Sequence, residues 1–171
     1  MRFYPVDSRK ELCTSTACHR MSFCFGRAWN HENIDAATHD MIHEFMGEIH
    51  VNVLKHVTKM GTMNSPLDNE YNSLLTDENL ERLRGLPILF LSGSDNVVYD
   101  PVSTLKDYEL LRRRFGESLY QRYVYQGRGQ LDGWIGKDAK ETLFWRIGEH
   151  LDWCSARKGR ANGSHQVLNG A

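Results

Sequence analysis

Apolar residues fall into three regimes along the 171-residue chain. Up to residue 34, aromatic residues and cysteines are scattered without a clear period, and the stretch reads as irregular. From Asp35, a helix-capping residue type, Ala37, Met41, Phe45 and Ile49 recur at every fourth position, with Ile42 and Met46 beside them. That spacing predicts an amphipathic helix reaching about Met60, with Gly47 as the place for a break. Residues 61–84 are polar and rich in turn formers, and a short helix is expected from Thr76.

The third regime begins at Leu86. LPILFLSGSD (86–95) is a continuous apolar run ending in Ser-Gly-Ser, the pattern of a strand buried on both faces of a parallel sheet. DPVSTLKDYELLRRRFG (100–116) opens on Asp-Pro and closes on Gly, which marks a helix at both ends. LYQRYVYQG (119–127) predicts a second strand. KDAKETLFWRIGEHLDWC (137–154) predicts a last helix with Ala139, Leu143, Ile147 and Leu151 on one side. The chain therefore divides into an irregular and helical, lid-like region (1–85), a βαβα unit (86–154) and a polar tail (155–171) expected to be disordered.

The fold class is α/β, with an incomplete parallel sheet. Two parallel strands leave both edges and much of both faces bare, and no internal repeat supplies more. Further strands either hide in residues 1–34 or, the better reading, come from elsewhere.

Composition narrows the classes of function. A formal net charge of −1 provides no basic field for general nucleic-acid binding. No apolar run approaches the roughly 20 residues that span a bilayer, and the N-terminus lacks a signal-peptide core. Four cysteines are few for a disulfide scaffold, which points to reduced thiols and a cytoplasmic setting.

In open α/β sheets, chemistry sits beyond the carboxyl ends of the strands. Two loops qualify here: SGSDNVVYDP offers Asp95, and QGRGQLDGW offers Gln130 and Asp132. An acid after one strand and a base position after the next is the order Ser…Asp…His of a hydrolase triad with its first member absent. At GQLDGWIGKDA the chain resembles the C-terminal end of an α/β-hydrolase, whose loop there reads Gly-His-Leu-Asp. CHRMSFCFGRAWNHENIDAATHDMIHEFMG is similar to the lid of hydrolase modules joined to cholesterol-oxidase-like flavoproteins of the glucose–methanol–choline superfamily.

This resemblance, over roughly residues 13–154, implies a partial α/β-hydrolase fold. It places Asp95 at the triad acid and Gln130 at the base. Glutamine cannot take a serine proton, and no Gly-x-Ser-x-Gly occurs in the chain. The nucleophile and most of the sheet are expected before residue 1, in an N-terminal hydrolase half. Lipid or sterol-ester substrates are implied by the resemblance alone. FAD is implied only for a joined oxidase domain, because this chain has no Gly-x-Gly-x-x-Gly. A Gln130 that holds a bound ligand is the alternative to a base position that has lost its chemistry.

Other groups read more plainly. Cys13, Cys18, His19 and Cys24 are close in sequence but lack a C-x-x-C pair, so they read as buried thiols and no metal site is assigned. His39, His43 and His50 would share one face of a continuous helix, read as a half-exposed lid face. His150 and His165 read as solvated, and Arg112, Arg113 and Arg114 as complements to a helix C-terminus. Trp134, near Gln130, is the candidate to line an apolar substrate pocket, with core or rim packing as the other reading.

Two classes of function follow: an incomplete, non-hydrolytic module that joins a missing hydrolase half or oxidase, or a stand-alone pseudoenzyme that binds a ligand or protein. Self-association through the bare sheet edge is expected in either case.

Overall fold

A computed structural model describes residues 13–45, 47 and 50–166, with side chains as far as residue 157. Its elements are α1 (Thr16–Phe25), α2 (Ala36–Phe45), α3 (Val51–Met63), α4 (Asp77–Glu81), β1 (Ile88–Gly93), α5 (Pro101–Phe115), β2 (Tyr120–Tyr125), α6 (Asp132–Ile135) and α7 (Trp145–Gln166). A 3₁₀ turn at His31–Asn33 precedes α2, and a π turn at Lys140–Phe144 leads into α7. The architecture is mixed, with helices around a small sheet of two parallel strands. No described helix is long and apolar enough to cross a membrane.

The βαβα unit forms where its signals place it. Asp100 caps α5 by accepting from the Val102 amide at 2.8 Å, Pro101 takes the first turn, and Gly116 ends the helix at φ +88°. Each arginine in the last turns of α5 finds an acid: Arg112 pairs with Glu117 at 2.6 Å, Arg113 with Glu109 at 3.7 Å and Arg114 with Asp77 at 2.5 Å. These pairs neutralise the basic run, whatever they add to the helix terminus.

Strands β1 and β2 align from Ile88 beside Tyr120 to Gly93 beside Tyr125. One face meets α5, where Phe90 packs edge-on against Tyr108 and Arg122 donates to Thr104 and Pro101. On the other face Tyr123 packs edge-on against Trp145 at the start of α7. The expected double burial of β1 is not reached. Ile88, Leu89, Phe90 and Leu91 are all only half-buried, because β2 is the sole strand paired with β1 among the described residues. Apolar runs of this kind need neighbours on both edges and cover on both faces.

Two readings of the N-terminal region are corrected. Residues 16–25 are helical, not irregular: Ala17, Cys18 and Met21 form the inner face, and the period emerges once cysteine is counted as a small apolar residue. The break expected at Gly47 is present, since α2 ends at Phe45 and His50 caps α3 by accepting from the Asn52 amide. The Ala37–Met41–Phe45 stripe faces outward, and Ile34 and Ile42 are the residues α2 and its approach bury. Met46 and Ile49 lie outside the described residues.

At the other end, α7 continues to Gln166, past Ser155 where a disordered tail was expected. Residues 167–171 and the side chain of His165 are outside the described set. Leu143 is fully buried and Ala139 nearly so, but Leu151 is exposed and His150 takes the inner position. Spacings of four and seven from Leu143 stay on one helical face, and a spacing of eight drifts off it.

The N-terminal region packs onto the loops beyond the strand ends. Ala17, Cys18, Ala28, Trp29, Ile34 and Ile42 form its core, and Val98, Leu131 and Ile135 from those loops join it. The join is polar at its centre. Asp132 has no exposed surface, and its carboxyl group accepts from the Asn30 amide (3.0 and 3.2 Å), the Asn33 side chain (2.8 Å) and the Gly129 amide (2.7 Å). Backbone bonds from Leu131 to Ala28 (2.7 Å) and from Lys137 to Asn33 (2.9 Å) flank it.

Asp132→Ala leaves these donors buried without their acceptor and is expected to cost about 3–5 kcal/mol in urea unfolding. Asp95→Ala, at an exposed position, is expected to stay within about 0.5 kcal/mol. Equal losses for the two variants would show that Asp132 does not hold the join.

His150 supplies a second prediction. Burial, and then the charge of Arg146, push its pKa below the usual histidine range. The unfolded chain therefore takes up a proton that the folded chain refuses. Its contribution is complete above about pH 6.5 and is lost as pH falls below that value. His150→Gln is expected to flatten the acid side of the pH–stability curve, read from urea midpoints.

Candidate functional site

Two sites carry side chains of chemical interest, one at the strand ends and one inside the N-terminal core. At the strand ends the loops touch through backbone. The Asp95 amide donates to the Arg128 carbonyl at 3.0 Å, and the Gly127 amide donates to the Ser94 hydroxyl at 2.8 Å. Gly93 permits this approach: a Cβ there would stand 2.1 Å from the Arg128 oxygen and 2.7 Å from that of Gly129. Gly127 adopts φ +67°, which favours glycine, and its carbonyl accepts from the Asn30 and Asn33 side chains at 3.2 and 2.9 Å.

Asp95 lies in the loop directly after β1, and its carboxyl group accepts from the Ser94 hydroxyl at 2.7 Å. The side chain bonded to Gln130 is that of the next residue, Asn96, whose amide nitrogen donates to the Gln130 carbonyl oxygen. Asn96 is buried, and its own oxygen accepts from the Val98 and Tyr99 amides, each at 3.0 Å. The arrangement is an amide facing an amide. Neither group titrates near neutral pH, so the pair can hold a polar partner but cannot relay a proton. Trp134 is 49% exposed, with its ring against Phe144, and its position is that of a rim residue.

Arg128 links the same loop to its surroundings through Asn33 and Asp138. With Asp132 and Gly127 it ties the turn to the N-terminal region. Its backbone and acid hold the N-terminal region in place, and residue 130 has no part in that task.

The second site brings together residues that sequence spacing leaves apart. Cys13 precedes α1, Cys18 lies in its first turn, His31 opens the 3₁₀ turn and His39 sits in the first turn of α2. One ligand atom from each falls within 4.8 Å of all the others. The Nε2 of His39 lies 3.4 Å from the Cys13 sulfur and 3.3 Å from that of Cys18, and the two histidine rings are 5.0 Å apart. The Ser15 amide donates to the Cys13 sulfur at 3.4 Å.

Burial, and then the neighbouring Cys13 thiol, push the Cys18 thiol up to about 12, while Ser15 and Trp29 act the other way. Two thiols and two imidazoles form a donor set suited to zinc. No disulfide joins any of the four cysteines.

Of the residues grouped by sequence proximity, Cys13 and Cys18 stay together, while His43 and His50 are not among the four that converge. His43 is exposed and pairs with Glu44 at 3.0 Å, and His50 caps α3. His19 lies 2.9 Å from the Cys13 carbonyl. His150 is buried rather than solvated, with its Nε2 3.6 Å from the Cys154 sulfur. A signal for His39 did exist, because it lies three residues before Ile42, the most buried position of α2.

No protein-family model, curated protein or solved structure matches the chain.

The amide pair yields a prediction. Gln130→His provides an imidazole but neither an activated serine nor an oxyanion hole, and no hydrolysis of short acyl esters above background is expected from the variant or the parent. Mass-spectrometric capture of a serine of this chain by an acylating reagent would overturn it.

Proposed function

We propose that the chain is a non-hydrolytic α/β-hydrolase-like module, related to the C-terminal part of the hydrolase module joined to sterol-oxidase-like flavoproteins. The observation that carries this reading is the amide pair Asn96–Gln130. It occupies the loops beyond consecutive parallel strands, where a hydrolase of this topology keeps its acid and base. Without a titrating base the module contributes structure and binding, not proton transfer. It needs no cofactor for that task; FAD would belong to a joined oxidase domain. Lipid or sterol-ester ligands follow from the resemblance, and a cytoplasmic setting suits its four unbridged cysteines.

The partner is a segment carrying the remaining strands of the sheet, on the same or another chain. Two features support this. Strand β1 has an unpaired edge among the described residues, and its apolar side chains are only half-buried. Large apolar residues are also exposed nearby in the chain at Leu86, Val97 and Tyr99. An open edge on an apolar strand favours pairing with another strand.

The isolated 171-residue chain is therefore expected to be oligomeric, aggregated or partly molten unless joined to strands that complete the sheet. Size-exclusion chromatography with light scattering, run beside near-UV circular dichroism, measures this. A compact monomer with a sharp cooperative melt would favour a stand-alone pseudoenzyme that binds a ligand or partner.

A further inference from the structure

We propose that Cys13, Cys18, His31 and His39 bind one zinc ion in a closed structural site that pins the N-terminal region together. The inference is independent of the hydrolase-like reading, since none of the four residues belongs to the strand-end loops.

Geometry supports it first. Tetrahedral zinc holds sulfur at about 2.3 Å and nitrogen at about 2.0–2.1 Å, so ligand atoms lie roughly 3.3–3.8 Å from one another. His39 already meets that spacing with both sulfurs, at 3.4 and 3.3 Å, and no pair among the four exceeds 4.8 Å. Closing the set around an ion takes side-chain shifts of about an ångström, within the reach of χ rotations.

Hydrogen bonding between thiol and imidazole explains the geometry less well. The Nε2 of a histidine has a single site, either a lone pair or a hydrogen. Two sulfurs approach that one nitrogen, at 3.4 and 3.3 Å, so His39 can bond fully to only one of them. A metal ion at the centre satisfies all four donors together.

The surroundings fit a structural rather than a catalytic ion. Cys18 is 1% exposed and lies among Ala17, Ala28, Trp29, Ile34 and Ile42. Four protein ligands leave no open position for water or substrate. The Ser15 amide on the Cys13 sulfur is an outer-sphere contact of the type that orients a thiolate toward a metal.

The ligands come from the approach to α1, from α1, from the 3₁₀ turn and from α2. One ion would tie four pieces of chain that bury only a few residues each. Small cores commonly take a metal for this reason.

The test uses the full chain, purified without a metal-affinity tag and under reducing conditions. Elemental analysis is expected to find about one zinc per chain. Replacing the zinc with Co(II) should produce the intense visible bands of a tetrahedral site with thiolate ligands. Cys13→Ser and His39→Asn should each weaken zinc binding by more than about 100-fold in a chelator competition. Cys24→Ser and His43→Gln should leave it unchanged.

Because loss of a structural ion can unfold the variants, the Co(II) spectrum of the unsubstituted chain serves as an independent criterion. Absence of both zinc and these bands would overturn the proposal. So would a metal retained by a Cys13→Ser, Cys18→Ser double variant, or one lost equally on Cys24→Ser.

Discussion

The buried carboxyl group of Asp132 is the contact on which the rest of the arrangement depends. It has no exposed surface, and both of its oxygens accept hydrogen bonds from Asn30, Asn33 and Gly129. A buried acid is tolerable only when its oxygens are satisfied, so this one dictates where its donors stand. Asn30 and Asn33 are far from Asp132 in the chain, and their bonds to it bring residues 28–33 down onto the loop after β2. The turn at Gly127 and the close approach at Gly93 are consequences of the same join.

Around that clasp the molecule has two unequal parts. The N-terminal region buries a small core of its own, centred on Trp29 and Ile42. The βαβα unit has well-formed ends and good ladder register, yet its apolar strand β1 stays half-exposed. Hydrophobic burial is the main force that stabilises such a sheet. A strand with this sequence and so little cover is the ground for the proposal that another segment completes the sheet.

The chemistry separates along the same line. At the strand ends, Asn96 and Gln130 form a polar contact without acid–base capacity, and its role is to order the two loops. In the N-terminal core, two thiols and two imidazoles converge where the surrounding side chains are apolar. A metal there would act with Asp132, one fixing the inside of the cap and the other fixing its seat.

Sequence by itself determined the elements whose signals are local. Asp100, Pro101 and Gly116 bracket α5, Thr76 caps α4, and the apolar run 88–91 forms a strand, because capping and propensity act within a few residues. It also determined that Gln130 cannot act as a base, since that follows from the side chain alone. The helix at 16–25 was obscured by Cys18 in an apolar position of its inner face.

Tertiary structure decided the rest. It chose which face of α2 is buried, assigned Asn96 rather than Asp95 as the partner of Gln130, and made Asp132 the centre of the join. It also brought His31 and His39 to Cys13 and Cys18. Those outcomes depend on contacts between residues far apart in the chain. Their energy comes from burial and hydrogen bonding in three dimensions, which no local spacing encodes.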